Sequence, residues 1–511
     1  MQGQGGVNEG ADSGRVALRR PFPKEVQQRV DELASPCCLP GKQLSLPAHV
    51  VGESRIGPQQ LGEPDDRRER IVQLVRDARH QPRNGVELLR PDRLVGDRPD
   101  PGRIVGGVVH GGILRAPTAG PTPRPGGRPL SWPLTEEERL LQQTAREFAQ
   151  REVAPSAIER DEAERFDRAI FGRMGELGLT AAPIPESAGG AGFSYLGWSL
   201  VMEELGAADM ATAVTLSVHI LSQLPVVTWG SPEQVDRWLA PMLSGEALGA
   251  FALTEPHAGS DASAIRTRAT RDGDRYRLTG TKIWISNAPE ADRYLVFATL
   301  DPGAGPSAIA AFLVEKGIPG FRFGAHEKKM GIRACPAAEL VFEDAVVPAA
   351  NRLGGEGDGY RIALSSLAEG RISIAAACVG IARSALEQAT RYLGERKAFA
   401  APLADQQGLR FMVAEMARDV EAARALTRQA AAARDRGDAL AVASSLAKWT
   451  ASDTALRVAT DAVQLFGASG YSRETGIERL MRDAKGAQIY EGTNQIHRLI
   501  VADAVLKRAQ P

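Results

Sequence analysis

The run Phe251-Ala252-Leu253-Thr254-Glu255-Pro256-His257-Ala258-Gly259-Ser260-Asp261 marks the point where the chain changes texture. Before it, from about 134 to 249, apolar residues recur at helical spacing: Leu140, Leu141, Ala145, Phe148 and Val153, then Leu200, Val201 and Leu205, then Trp238 and Leu239. Thr135 with Glu138 reads as a capping box opening this segment. Pro185, Gly189, Gly190 and Gly192 mark a loop inside it. After the run, from about 250 to 348, the period shortens to that of strands. Residues 265–270 alternate, Asp272-Gly273 suits a hairpin turn, and Tyr276 and Leu278 continue the return strand. Further strands are expected at 294–299, 308–314 and 339–342. Beyond Gly359 the chain turns helical again, with long antiparallel helices expected over 411–434 and 439–466. The fold class is therefore mainly α with a central β domain, divided into 133–249, 250–358 and 359–511. No repeat of roughly 20 to 50 residues underlies that order.

Residues 1–132 read differently. They are dominated by Arg, Gly, Pro, Gln and Asp, with too little apolar surface to offset ordering entropy. One helix is expected at roughly 67–78, and the rest is expected to be disordered. The expected origin of this low-complexity extension is a start codon assigned too far upstream.

Composition narrows the function. Hydrophobic content of 43% and charged content of 24% fit an ordinary soluble globular protein. A net charge of −1 gives no basic field for nucleic acid. No apolar run reaches the length expected of a membrane span. Cys37, Cys38, Cys335 and Cys378 make neither a metal spacing nor a disulfide framework, so a reducing, cytoplasmic location is expected. No Walker loop, His-Glu-x-x-His pair or Cys/His cluster supports phosphate-loop or metal chemistry. Gly354-Gly355-Glu356-Gly357-Asp358-Gly359 superficially suggests a dinucleotide loop but lacks the strand-turn-helix unit such loops need.

Three runs carry chemistry. In the first, Thr254 and Ser260 offer hydroxyls and Gly259 lets backbone approach a ligand; a turn with a capping Ser is the plainer alternative. In Gly280-Thr281-Lys282-Ile283-Trp284-Ile285-Ser286-Asn287-Ala288, Trp284 can lie against a planar ring and Ser286 can donate to a ring nitrogen, or Trp284 can simply be core. In Gln488-Ile489-Tyr490-Glu491-Gly492-Thr493-Asn494-Gln495-Ile496-His497-Arg498, Glu491 stands between a tyrosine and a glycine, with hydroxyl and amide donors after it. It can act as a general base if the fold buries it beside an acidic carbon; a surface Glu opening a helix is the alternative.

Together these runs resemble the acyl-CoA dehydrogenase family. The resemblance extends from Leu134 to Ala509 and includes, in order, Pro185-Glu186 with Gly189, Gly190 and Gly192, then Leu253 to Asp261 and Lys282 to Ala288. Lys329-Met330-Gly331-Ile332-Arg333, Glu369-Gly370-Arg371, Arg396, Gln464 to Gly470 and Tyr490 to Gln495 follow. It implies a tetramer of three-domain subunits, each with a helical domain, a small β-barrel or sandwich domain and a C-terminal four-helix bundle, binding FAD.

The resemblance also implies roles. Phe251, Leu253, Thr254, Gly259 and Ser260 would line the flavin ring and pyrophosphate. Trp284 and Ile285 would lie beside the ring and Ser286 would bond its N5. Arg396, Phe399, Gln406, Gln407, Gln464, Leu465, Phe466, Gly467 and Ala468 would reach the adenine half of FAD in a neighbouring subunit. Thr493, Asn494 and Gln495 would complete the cofactor's cradle, while Ser260, Arg371 and Gly492 would touch the acyl-CoA. Glu491 would be the base of an α,β-desaturation, as in fatty-acid β-oxidation, with electron-transfer flavoprotein as acceptor. Alternatives are an oxygen-using or biosynthetic enzyme of the same fold, or a non-catalytic acyl-CoA-binding protein. Part of the family carries its base on the earlier helix, but Gly370 stands at that position here. Ala398, Ala400, Ala368, Ala468 and Cys335 also depart from the usual pattern.

Overall fold

A computed structural model describes residues 132–508; the extension and the helix expected at 67–78 lie outside them. The first segment folds as α1 (Glu136–Phe148), α2 (Ala157–Glu162), α3 (Arg168–Glu176), α4 (Tyr195–Ala208), α5 (Met210–Trp229) and α6 (Pro232–Leu243). The expected capping box is formed: the Glu138 N–H donates to Thr135 Oγ1 at 3.1 Å and the Thr135 N–H to Glu138 Oε2 at 2.9 Å. Two orphan amides of α1 are thereby satisfied.

The middle segment contributes β1 (Gly249–Ala252), β2 (Arg268–Asp272), β3 (Arg275–Ser286), β4 (Arg293–Thr299), β5 (Ile309–Glu315), β6 (Phe321–His326), β7 (Ala337–Pro348) and β8 (Arg352–Leu353). They make one sheet in the order β6-β7-β3-β2-β4-β5-β8, with β1 parallel to β4. The expected hairpin is present, with Asp272 paired to Arg275 and Gly273 at φ +62°. β1 and β6 were not foreseen. β6 has no buried position, so it shows neither a strong apolar run nor a clear alternation.

The last segment comprises α7 (Gly359–Glu395), a β9–β10 ribbon (Lys397–Ala398 and Ala401–Pro402), α8 (Gln407–Asp435), α9 (Leu440–Phe466), α10 (Ala468–Tyr471), α11 (Ile477–Ala487) and α12 (Asn494–Arg508). α7 is central, packing along α4, α8 and α9. Its approach to α4 is possible only because glycines sit at the crossing. A Cβ on Gly206 would come 2.3 Å from the Ala377 carbonyl oxygen, and one on Gly380 would come 2.2 Å from that of Glu203. α5 and α7 are long and apolar enough to cross a membrane by length and composition, contrary to the expectation that no apolar run reaches that length. However, 94% and 72% of their most apolar windows are buried within the fold, as core helices require.

Candidate functional site

Glu491 lies in the link between α11 and α12. Its φ is +55° and that of Gly492 is +93°, so the backbone passes twice through the left-handed region. Glycine suits the second position sterically: a Cβ there would stand 3.3 Å from His497 Cε1 and 3.6 Å from an Arg371 guanidinium nitrogen. For Glu491 the conformation costs on the order of 1 kcal/mol and persists only if the surroundings enforce it. They do so from two helices. Arg371 on α7 donates through Nε to the Glu491 carbonyl at 3.2 Å, and Lys448 on α9 donates to the Gly492 carbonyl at 2.7 Å.

The electrostatics follow from burial. Glu491 keeps some exposed surface, yet its Oε2 is buried and has no hydrogen-bond partner. Desolvation pushes its carboxyl up to about 7, against the opposing pull of Lys448 and Arg371. Desolvation likewise brings Lys448 down to about 8 and holds His497 at about 3, where its imidazole is neutral. The Tyr490 hydroxyl and His497 Nε2 are also buried without partners. Three orphaned polar atoms within eight residues indicate a site built to receive polar groups from elsewhere.

A second part of the site is assembled where β1 leads into the loop toward β2. Lys282 and Glu255 form a fully buried ion pair at 2.7 Å. The Lys282 ammonium also donates to the Leu253 carbonyl at 2.9 Å, and the Ile283 N–H donates to that of Thr254 at 3.0 Å. These bonds pin the Leu253–Glu255 segment against β3. The β3–β7 register slips between Lys282 and Ile285, and Trp284 takes φ +59° there, leaving its side chain 54% exposed. A core role for Trp284 is thereby excluded. Phe251 and Thr254, on β1 and just after it, and Ser286, two residues after Trp284, are partly exposed, and Gly259 has open space where a Cβ would be. This surface fits a planar cofactor ring such as a flavin. The Cys335 thiol lies 3.7 Å from Asn287 Oδ1 and bears electrostatically on Tyr490, which puts the end of β3 within charge range of the Glu491 turn.

Several anticipated contacts are corrected. Leu253, Ile285 and Leu465 are core side chains, so any contact they make with a cofactor would run through their backbones. Asn494 is turned inward rather than toward a cofactor. Its amide donates to Ser452 Oγ at 3.0 Å and Asp453 Oδ1 at 2.7 Å, while its carbonyl accepts from Lys448 at 3.3 Å. Thr493 and Gln495 keep exposed surface, as does Ser260.

Arg396, Phe399, Gln406, Gln407, Gln464, Phe466, Gly467 and Ala468 form a separate group. Tyr392, near the end of α7, stacks on Phe466 at 4.2 Å, which joins the two halves of this group. Gln464 lies sixteen residues beyond Lys448 on α9, about 24 Å at the helical rise. One chain therefore does not bring this group to the Glu491 turn. Phe399 is 92% exposed at φ +53°, and Gly467 at φ +61° has open space beside it.

Lys448 was missed by sequence reasoning. Its signal was present: Ser444, Ala447, Ala451, Ala455 and Ala459 line a small-residue face, and Lys448 falls on it.

Comparison with known proteins identifies the family. The family models described as acyl-CoA dehydrogenase N-terminal, middle and C-terminal domains match residues 135–246, 250–345 and 357–506. An acyl-CoA dehydrogenase of Bacillus subtilis is 44% identical over 374 residues, 73% of this chain and 99% of that protein. A chain from a structure described as the electron transferring flavoprotein of Acidaminococcus fermentans superposes with TM-score 0.73 at 45% identity, over 74% of this chain and 100% of that one. Butyryl-CoA dehydrogenase from Megasphaera elsdenii superposes at 0.72 with 42% identity, over 74% and 100%. With all three domains matched in order and more than two-fifths of residues shared across those relatives, the chain belongs to the acyl-CoA dehydrogenase family of FAD-dependent oxidoreductases.

Proposed function

We propose that this enzyme desaturates a short- or medium-chain acyl-CoA thioester between its α and β carbons, with Glu491 as the base. The supporting observation is the buried Glu491 Oε2, unpartnered, on a turn held by Arg371 and Lys448. A thioester α-proton is weakly acidic, so a base near the working pH and shielded from water suits its removal. Glu491, at about 7, meets that condition.

In the reaction the Glu491 carboxylate takes the α-proton and becomes the neutral acid. Among the described residues the Glu491 backbone N–H has no acceptor, so it is free to bond the thioester oxygen as negative charge develops there. FAD, when bound, would supply the two-electron acceptor for the hydride lost from the β-carbon, leaving the α,β-unsaturated thioester. Phe251, Thr254, Ser260, Trp284, Ser286, Thr493 and Gln495 would hold the flavin, with Arg371 and Gly492 at the acyl-CoA. The Arg396 and Gln464 group would serve the adenine half in a neighbouring subunit of a homotetramer. An exposed Phe399 and Tyr471 in this part of the chain support that assembly. Electron-transfer flavoprotein is the proposed acceptor, on the likeness to the Acidaminococcus structure, and short substrates on the likeness to the butyryl-CoA enzyme.

The test is anaerobic titration of the yellow holoenzyme with thioesters graded from butyryl-CoA to palmitoyl-CoA, followed by addition of electron-transfer flavoprotein or air. The proposal predicts bleaching strongest with short chains and reoxidation by the flavoprotein. Peroxide formation in air would favour an oxidase, and a colourless protein would refute the reading.

A further inference from the structure

Lys448 is costly to bury. Its side chain is 0% exposed, yet among the described residues no carboxylate stands within ion-pair distance of its ammonium. Its bonds go to neutral acceptors, the Gly492 carbonyl at 2.7 Å and Asn494 Oδ1 at 3.3 Å. An ammonium taken out of water without a bonded anion carries a penalty of several kcal/mol. Such an arrangement costs stability rather than adding it.

The surroundings are built to keep Lys448 there. Asn494, which accepts from it, is fixed by Ser452 and Asp453, and Asp453 Oδ1 also accepts from Gln488 at 2.7 Å. The Asn494 N–H closes the loop onto the Gln488 carbonyl at 3.1 Å. The ammonium thus sits at the end of a hydrogen-bonded frame spanning α9, the turn and the start of α12. That frame aims it at the carbonyl of the residue after Glu491.

The charges around the carboxylate are few. Arg371 and Cys378 on α7, Lys448 on α9, Tyr195 on α4 and the adjacent Tyr490 bear on Glu491. Asp453 on α9 bears on Lys448, and His497 on α12 stands in the field of both cations. Burial pushes the Cys378 thiol up to about 12 and raises both tyrosines well above their ordinary value, so all three are neutral at working pH. His497 is neutral as well. Among the described residues, Arg371 and Lys448 are therefore the positive charges that favour the ionised carboxylate.

We propose that Lys448 is the positioning residue of the Glu491 base: its ammonium locks the left-handed turn through the Gly492 carbonyl and supplies positive charge against which the carboxylate ionises. This inference rests on Glu491 being the base. The Lys448 ammonium is bonded to the Gly492 carbonyl and Asn494 Oδ1, so it acts through the turn and through its field.

The test uses holoenzyme carrying Lys448→Met or Lys448→Gln. Methionine removes both charge and hydrogen bond; glutamine removes the charge but can still donate to the Gly492 carbonyl. The pH profile of kcat/KM is measured for each, with the carboxyl stretching band of Glu491 followed independently in resting protein as the band absent from Glu491→Gln. The acidic limb and the band are expected to move upward by about one pH unit in both variants, so that kcat/KM at pH 6 falls about tenfold beyond any uniform loss. Methionine should lower kcat further than glutamine. An unmoved limb and band in either folded variant would overturn the proposal and leave Lys448 a structural strut. If Glu491→Gln turns over normally, the base assignment itself has failed. If Glu491→Gln is inactive while the Lys448 variants titrate like wild type, only the Lys448 inference has failed.

Discussion

The Glu491 carboxylate lies against Gly370: a Cβ built on that glycine would come 2.7 Å from Oε2 and 3.1 Å from Cδ. The two residues come from α7 and from the turn after α11, 121 positions apart in sequence. The position where some relatives were expected to carry their base is thus left empty of side chain, and the Glu491 carboxylate occupies that space.

Gly370→Ala follows from this contact. Alanine removes a glycine from a helix interior, a gain of up to ~1 kcal/mol. The added methyl meets only the end of a flexible side chain, which can move. Stability is expected to hold or rise while kcat falls at least ~10-fold, because a base displaced by about an ångström loses its alignment. Thermal melts and steady-state kinetics on the same preparation check this.

Glu491→Gln should change stability in a pH-dependent way. The folded carboxyl is raised from 4.5 to about 7, so the folded protein holds a proton that the unfolded chain releases above 4.5. Stability associated with Glu491 is therefore full below pH 4.5 and is lost as pH rises through 7. Glutamine lacks this loss. The variant is expected to match wild type near pH 4.5 and to exceed it at pH 8 by about 3 kcal/mol at most. Urea unfolding of both proteins across that range supplies the comparison.

Much of this was legible in sequence, and the reasons differ by element. The capping box at Thr135 and Glu138 and the Asp272-Gly273 hairpin are local signals with local causes, so they read directly. The motif runs led to Glu491, Trp284 and Arg371 because each sits in a short distinctive stretch. Lys448 and Gly370 were harder to see. Their meaning arises only when α7, α9 and the turn meet, contacts that span 44 to 121 residues of sequence. Asn494 misled because it looks like a ligand-facing amide, whereas tertiary structure spends all its bonding capacity inside.

Trp284→Ala separates cofactor binding from folding. The indole is 54% exposed, so its removal should change the stability of the apoprotein by less than about 0.5 kcal/mol. FAD affinity is expected to fall about tenfold, as loss of an aromatic stacking surface implies. Fluorescence titration of apoprotein with FAD reads this out.

Lys282→Met tests the pin beneath that tryptophan. It leaves the Glu255 carboxylate buried without its cation, at a cost of about 3–5 kcal/mol. The double variant Lys282→Met with Glu255→Gln is expected to recover most of that loss. Denaturant melts of the two single variants and the double variant complete the cycle.

The central claim is that Glu491 removes the α-proton. Its most direct measurement is the anaerobic single-turnover rate of FAD-loaded Glu491→Gln mixed with butyryl-CoA, alongside exchange of the substrate's α-hydrogen with deuterium oxide. Both rates are expected to fall at least ~10²- to 10⁴-fold while FAD content and butyryl-CoA binding persist. Exchange and reduction at wild-type rates in that variant would contradict the account.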